Sequence, residues 1–139
     1  MDWGNAIVAS INRPDPAGDV LSLELTLHLE GDFKKTEKKV TWLSADQSLV
    51  PVQLAAFDYL ITKDKLEEDD DVKDFVNKES IFTEDALADE NVAEVKVDDI
   101  IQFERKGYYR CDKAAGKNGE RAVFFMIPTG KGEKPTEKK

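Results

Sequence analysis

The chain has 139 residues, a length that fits one domain, or one barrel with part of a neighbour. Hydrophobic residues make up 40% and charged residues 35%, which allows a core beneath a heavily charged surface. No apolar run approaches the roughly 20 residues that cross a bilayer, so no membrane partner is expected.

The net charge of −9 argues against a general nucleic-acid binder, whose affinity rests on neutralised phosphates, and DNA is not an expected partner. The charge is unevenly spread, however. From Asp64 to Asp99 there are 15 acids against Lys65, Lys73, Lys78 and Lys96, a net −11, and the remainder of the chain carries +2. A basic site outside that segment is compatible with the acidic total. Met1-Asp2-Trp3-Gly4 lacks the basic and hydrophobic regions of a signal peptide. The single cysteine, Cys111, forms no internal disulfide and suits a reducing compartment, so the cytoplasm is the expected location.

In chain order the signal is β. Asn5 to Asn12 is a strand candidate, and Arg13-Pro14-Asp15-Pro16-Ala17-Gly18 reads as a turn or short loop. Val20 to Glu30 alternates strictly, with Leu21, Leu23, Leu25, Leu27 and Leu29 on one face and Ser22, Glu24, Thr26, His28 and Glu30 on the other. That period predicts a strand with one buried and one wet face. Gly31-Asp32 breaks the chain before a short strand expected from Lys38 to Leu43.

Val50 to Leu60 is apolar, with Pro51 suggesting an edge position or a strand start. The acidic stretch Lys63 to Asp74 reads as a solvated loop holding at most one helical turn. Ser80 to Val97 is ambiguous, with a short helix expected somewhere between Glu84 and Val95. Ile100 to Arg105 and Tyr108 to Asp112 flank Lys106-Gly107 as a hairpin, the glycine taking a position that needs positive φ. Ala122 to Ile127 is a last strand, and the polar tail after Pro128 is expected to be disordered. About six or seven strands with one or two short helices imply an all-β antiparallel barrel or sandwich, without internal repeats.

Catalytic patterns are missing. His28, the only histidine, lies on the polar face of a strand with no second ligand at metal spacing, so no metal site is expected. No serine occupies a G-x-S-x-G setting, Cys111 has no nearby base, and Gly107, Gly116 and Gly119 form no phosphate-cradling loop. The run Glu67-Glu68-Asp69-Asp70-Asp71 lacks the spacing and glycine of a calcium loop.

Two stretches carry RNA-type chemistry. Phe33-Lys34-Lys35-Thr36-Glu37-Lys38-Lys39 sets four lysines beside an aromatic, a combination that holds phosphates and offers a stacking partner. Gln102-Phe103-Glu104-Arg105-Lys106-Gly107-Tyr108-Tyr109-Arg110 combines side chains able to bond a base edge with rings able to stack on an unpaired base. The competing readings are a charged, solvated loop for the first and a hairpin with core aromatics for the second.

Those stretches, with Asp2-Trp3-Gly4-Asn5-Ala6, Val40-Thr41-Trp42-Leu43, Phe57-Asp58-Tyr59-Leu60-Ile61-Thr62-Lys63 and Val123 to Gly130, resemble the C-terminal region of eukaryotic cytoplasmic glutamyl-tRNA synthetases. The hairpin is also similar to that of glutaminyl-tRNA synthetases, a sister group. The resemblance implies a β-barrel of the type shared with ribosomal protein L25, residues 1–130 being an anticodon-binding region within a two-barrel unit and 131–139 a tail. It implies that Met1 begins inside a barrel strand, the first strands of the proximal barrel lying upstream.

By the same resemblance Gln102 and Arg105 match residues that bind the middle anticodon base, a uridine. Lys34 and Lys35 match a basic segment near the third base, with lysine where relatives have arginine in one place. Asn5 matches an asparagine near the anticodon. Lys38, Tyr108 and Arg110 complete the candidate tRNA-binding set. The partners implied are the anticodon loop of tRNA(Glu) and the remaining domains of a parent synthetase. Motifs similar to H-I-G-H and K-M-S-K-S do not occur, so catalysis is expected in the parent, with ATP and Mg there and no cofactor in this chain. The alternatives are the same domain from a glutaminyl-tRNA synthetase and a β-barrel protein-docking module using the loop from Glu67 to Asp74.

Overall fold

The computed structural model describes residues 3–116 and 119–130; the expected tail, residues 131–139, lies outside them. Contacts divide the chain into two compact units, residues 1–40 and 41–139.

The first unit is an antiparallel pair, β1 (Ala6–Asn12) and β2 (Ser22–Leu27), joined across the proline-rich turn. The register sets Leu27 opposite Ala6, Leu25 opposite Val8 and Leu23 opposite Ile11, with a bulge between Val8 and Ser10. Without that extra residue Ser10 would face Leu23; the bulge returns an apolar side chain to the leucine face. The alternation is therefore as expected, but the burial is not. Leu21, Leu23, Leu25, Leu27 and Leu29 are 48% to 69% exposed. Among the described residues of this unit, no second layer closes over the two strands. A short 3-10 turn, Phe33–Lys35, follows, capped by the Asp32 carboxylate on the Lys34 amide.

The second unit is a five-stranded sheet ordered β4-β3-β7-β6-β5, built from β3 (Val50–Phe57), β4 (Ile81–Ala88), β5 (Ile100–Phe103), β6 (Gly107–Lys113) and β7 (Ala122–Met126). The all-β expectation holds, with one four-residue helix among the described residues, α1 (Val72–Phe75), and 3-10 turns at Phe33–Lys35 and Glu90–Glu94. The ladder is not wholly antiparallel, because β3 and β7 run parallel, Val52 beside Ala122 through Ala55 beside Phe125. Pro51 sits in a central strand, one residue after its start. It pairs with Leu87 on one side, while the parallel ladder begins only at Val52, so its missing N–H costs no bond on the β7 side.

One local expectation is corrected. Residues 38–43 form no strand, since no neighbouring backbone among the described residues completes a ladder with them, and Val40 and Trp42 remain 72% and 55% exposed. Ser80 to Val97 resolves into β4 and the 3-10 turn at Glu90–Glu94, capped by Asp89 on the Asn91 amide. The acidic loop does contain a single helical turn, α1, capped by Asp71 on the Lys73 amide.

The core lies on one face of this sheet. Val52, Leu54, Ala88, Val92, Tyr109, Cys111, Ala122 and Phe124 form one cluster, with Cys111, Ala122 and Phe124 fully buried. Phe103 meets Tyr109 and Phe124 edge to face at 5.3 and 5.2 Å, locking the outermost strand to the centre. Ile101, Phe103, Tyr109 and Cys111 of the β5–β6 hairpin thus point inward, which leaves Ile100, Gln102, Tyr108 and Arg110 on the other face.

Candidate nucleic-acid interface

The hairpin sorts the candidate residues by the pleat. In β5, Ile101 and Phe103 are half-buried while Gln102 is exposed; in β6, Tyr109 and Cys111 are buried while Tyr108 is 54% exposed. Gln102 lies directly opposite Tyr108, and Ile100 opposite Arg110. Gln102, Tyr108 and Arg110 therefore share one outward face. Directly opposed residues stand side by side at cross-strand contact distance, so an amide that bonds a base edge lies next to a ring that can stack. Arg110 is held by Asp98 and Asp112, and its guanidinium lies 6.0 Å from the Phe125 ring centre. Phe125 in turn meets Phe57 edge to face at 4.9 Å.

Arg105 stands apart from that face. It occupies the turn closed by the Lys106 amide donating to the Phe103 carbonyl at 3.0 Å, with a left-handed φ of 63°. Gly107 takes a positive φ of 139°, as the sequence implied. Arginine in the left-handed region is strained in a way glycine is not. Its side chain, paired with Glu104 at 3.2 Å, lines a cavity of about 1070 Å³. Leu54, Phe57, Tyr59, Phe82, Tyr109 and Met126 contribute its apolar and aromatic walls. Burial, and after it the Glu84 carboxylate, holds the Tyr109 hydroxyl above its ordinary 10.0. Lys106 donates to both Glu84 oxygens, at 3.0 and 2.9 Å. That link between the hairpin tip and β4 had no sequence signal, since the two residues lie far apart in unrelated segments.

The other candidates belong to the first unit. Lys34 and Lys35 lie exposed in the 3-10 turn and Lys38 follows it; among the described residues none of the three has an ion-pair partner. Phe33 beside them is 47% exposed. Asn5 is half-buried, its side-chain amide donating to the Gly31 carbonyl at 2.6 Å while its own carbonyl accepts from the His28 amide. Those bonds tie the segment leading into the lysines to the start of β1. Thus Gln102, Tyr108 and Arg110 are brought onto one face, Arg105 onto the adjoining tip, and Asn5, Lys34, Lys35 and Lys38 onto the separate first unit.

One carboxylate of the acidic loop is satisfied within the loop. Asp70 accepts from the Glu67 amide at 2.7 Å and from the Lys63 ammonium at 2.6 Å, and these bonds hold its carboxyl below the ordinary 3.8. Among the described residues no group of three or more histidine, cysteine or acidic side chains is arranged to hold a metal ion.

An exposed amide beside an exposed ring, on a sheet with basic side chains at its tip, is an arrangement chemically able to contact an unpaired base. Comparison with known proteins gives the family. Residues 39–112 match the anticodon-binding domain of class I tRNA synthetases of the E and Q type, and the chain belongs to that family. It is 56% identical over 131 residues to a probable cytoplasmic glutamate–tRNA ligase of Schizosaccharomyces pombe and 53% identical over 131 residues to the cytoplasmic glutamate–tRNA ligase of Saccharomyces cerevisiae. Each match covers 94% of this chain and 18% of the relative. A bifunctional glutamate/proline–tRNA ligase of Drosophila melanogaster is 34% identical over 140 residues, covering 94% of this chain and 8% of the relative. The chain thus spans less than a fifth of the length of the curated relatives it matches.

Proposed function

We propose that this chain is the anticodon-reading part of a cytoplasmic glutamate–tRNA ligase, gripping the anticodon loop of tRNA(Glu) while the remaining domains of the parent carry out ATP- and magnesium-dependent glutamylation. The observation that carries this reading is the outward pairing of Gln102 with Tyr108, with Arg105 in the turn that joins their strands. Gln102 bonds the edge of the middle base, Tyr108 stacks on an unpaired base, and Arg105 supplies a charged donor from the tip. Lys34, Lys35 and Lys38 position the phosphates, Asn5 keeps that segment in place, and Arg110 orders the outward face through its two aspartates. The leucine face of β1 and β2 supports the domain reading, in which residues 1–130 are a barrel region whose first barrel takes further strands from the parent. The names of the relatives favour a glutamyl over a glutaminyl parent.

The test is a titration with an anticodon stem-loop, followed residue by residue by NMR. Replacing the middle uridine weakens binding by about tenfold, the worth of one good base contact, whereas replacing a stem pair leaves binding within twofold. Gln102→Ala removes most of that discrimination. Equal effects of loop and stem changes at constant salt would refute base reading.

A further inference from the structure

The two edge strands of the five-stranded sheet, β4 and β5, share no ladder. The gap between them is bridged at the hairpin tip, where the Lys106 ammonium donates to both oxygens of Glu84 in the middle of β4. The residue immediately before Lys106 is Arg105, held at a φ of 63° and lining the cavity that opens beside this bridge. β5 is only four residues long and pairs on one side alone, so the tip has little other backbone support.

A strained tip at the free end of a short edge strand relaxes unless something fixes it. Resting on the anticodon reading above, we propose that Glu84 is a positioning residue: by holding Lys106 it fixes the Glu104–Lys106 turn and aims Arg105, and so sets how sharply the middle base is discriminated. The exposed ion pair contributes little to global stability. Its effect is on the orientation of one arginine, where a misplacement of about an ångström abolishes a two-point hydrogen bond.

Glu84 has a second effect of opposite sign. While it occupies Lys106, that ammonium is withheld from RNA phosphates. Removing the carboxylate therefore costs base selectivity and adds a non-selective phosphate contact. Loss of fold would lower both properties together, so the two readouts separate positioning from stability.

The experiment compares wild type, Glu84→Gln, Lys106→Gln and the exchanged pair Glu84→Lys with Lys106→Glu, all as the 139-residue chain. Two anticodon stem-loops are used, differing only in the middle base, uridine or cytidine. Amide spectra report folding. Wild type prefers uridine by about tenfold, and both single variants fall to about threefold or less. Glu84→Gln steepens the salt dependence of binding by about 0.7 in the log–log slope, one further single-strand phosphate contact. The exchanged pair regains at least half of the lost preference. Undiminished discrimination in folded Glu84→Gln and Lys106→Gln would overturn the positioning role and leave the anticodon reading intact. Absence of discrimination in wild type overturns both.

Discussion

Asp70 illustrates how a single side chain organises a segment with few apolar anchors. Its carboxylate takes the Glu67 amide and the Lys63 ammonium, closing a loop whose other acids repel one another. The backbone bond is the larger cause of its lowered pKa, with Lys63 second. Because the folded group binds a proton less readily than the unfolded one, its stabilising effect is complete above the ordinary 3.8 and disappears as pH falls through the lower folded value. In a pH titration by NMR, the Asp70 carboxyl should turn over below 3.8, with the Glu67 amide following the same curve. Asp70→Asn should leave that amide exchange-labile throughout. A Glu67 amide insensitive to both changes would show that the loop is held by other means. Cys111 makes the complementary point: burial and the nearby carboxylates of Asp99, Asp112 and Asp98 push its thiol up, so it behaves as core rather than nucleophile.

At the scale of the element, the β5–β6 hairpin combines a stable inner face with a strained tip. Left-handed strain at Arg105 costs about 1–3 kcal/mol, more than the roughly 0.5–1 kcal/mol of extra chain entropy that a glycine brings. Arg105→Gly should therefore raise the urea midpoint of unfolding while abolishing most middle-base preference. Stability and selectivity moving together in this variant would contradict the assignment of Arg105 to reading. The hairpin was legible from sequence because its period of two, its Lys106-Gly107 turn and its mixture of tyrosines with Gln102 and Arg110 all agree. The division of labour within it was not legible: the sequence left the roles of Tyr108 and Tyr109 open, and nothing local tells that Arg105 lines the cavity. The leucine alternation of β2 gave the right pairing face and the wrong burial, since periodicity identifies a face without identifying what covers it. Residues 38–43 failed differently. Their apolar and β-branched content favours extended chain, but a strand needs a neighbour, and a neighbour is not a local property.

For the whole molecule, the feature least visible in the sequence is the parallel union of β3 and β7. Hairpins announce themselves through turns, whereas a parallel pair joins segments with everything between them left to find its own place. Composition did foretell the charge division: the segment from Asp64 to Asp99 holds most of the acids, and the Gln102 to Arg110 hairpin lies outside it. Loop-closure entropy further implies an order of assembly. The β5–β6 pairing is local and the β3–β4 partners lie closer in sequence than those of β3 and β7, so amides should gain protection in the order β5–β6, β3–β4 and then β3–β7 in pulse-labelled refolding. Simultaneous protection of all three ladders would argue for a single concerted step.

That order has a consequence during synthesis. Val52 and Leu54 are made early, but the partners that bury them, Ala122 and Phe124, are among the last residues of the sheet to leave the ribosome. The nascent chain must carry an uncovered apolar strand through most of the unit's translation. Pro51 at its head, which cannot donate to a passing strand, and the acid-rich stretch that emerges directly behind it both discourage intermolecular pairing while β7 is still unmade.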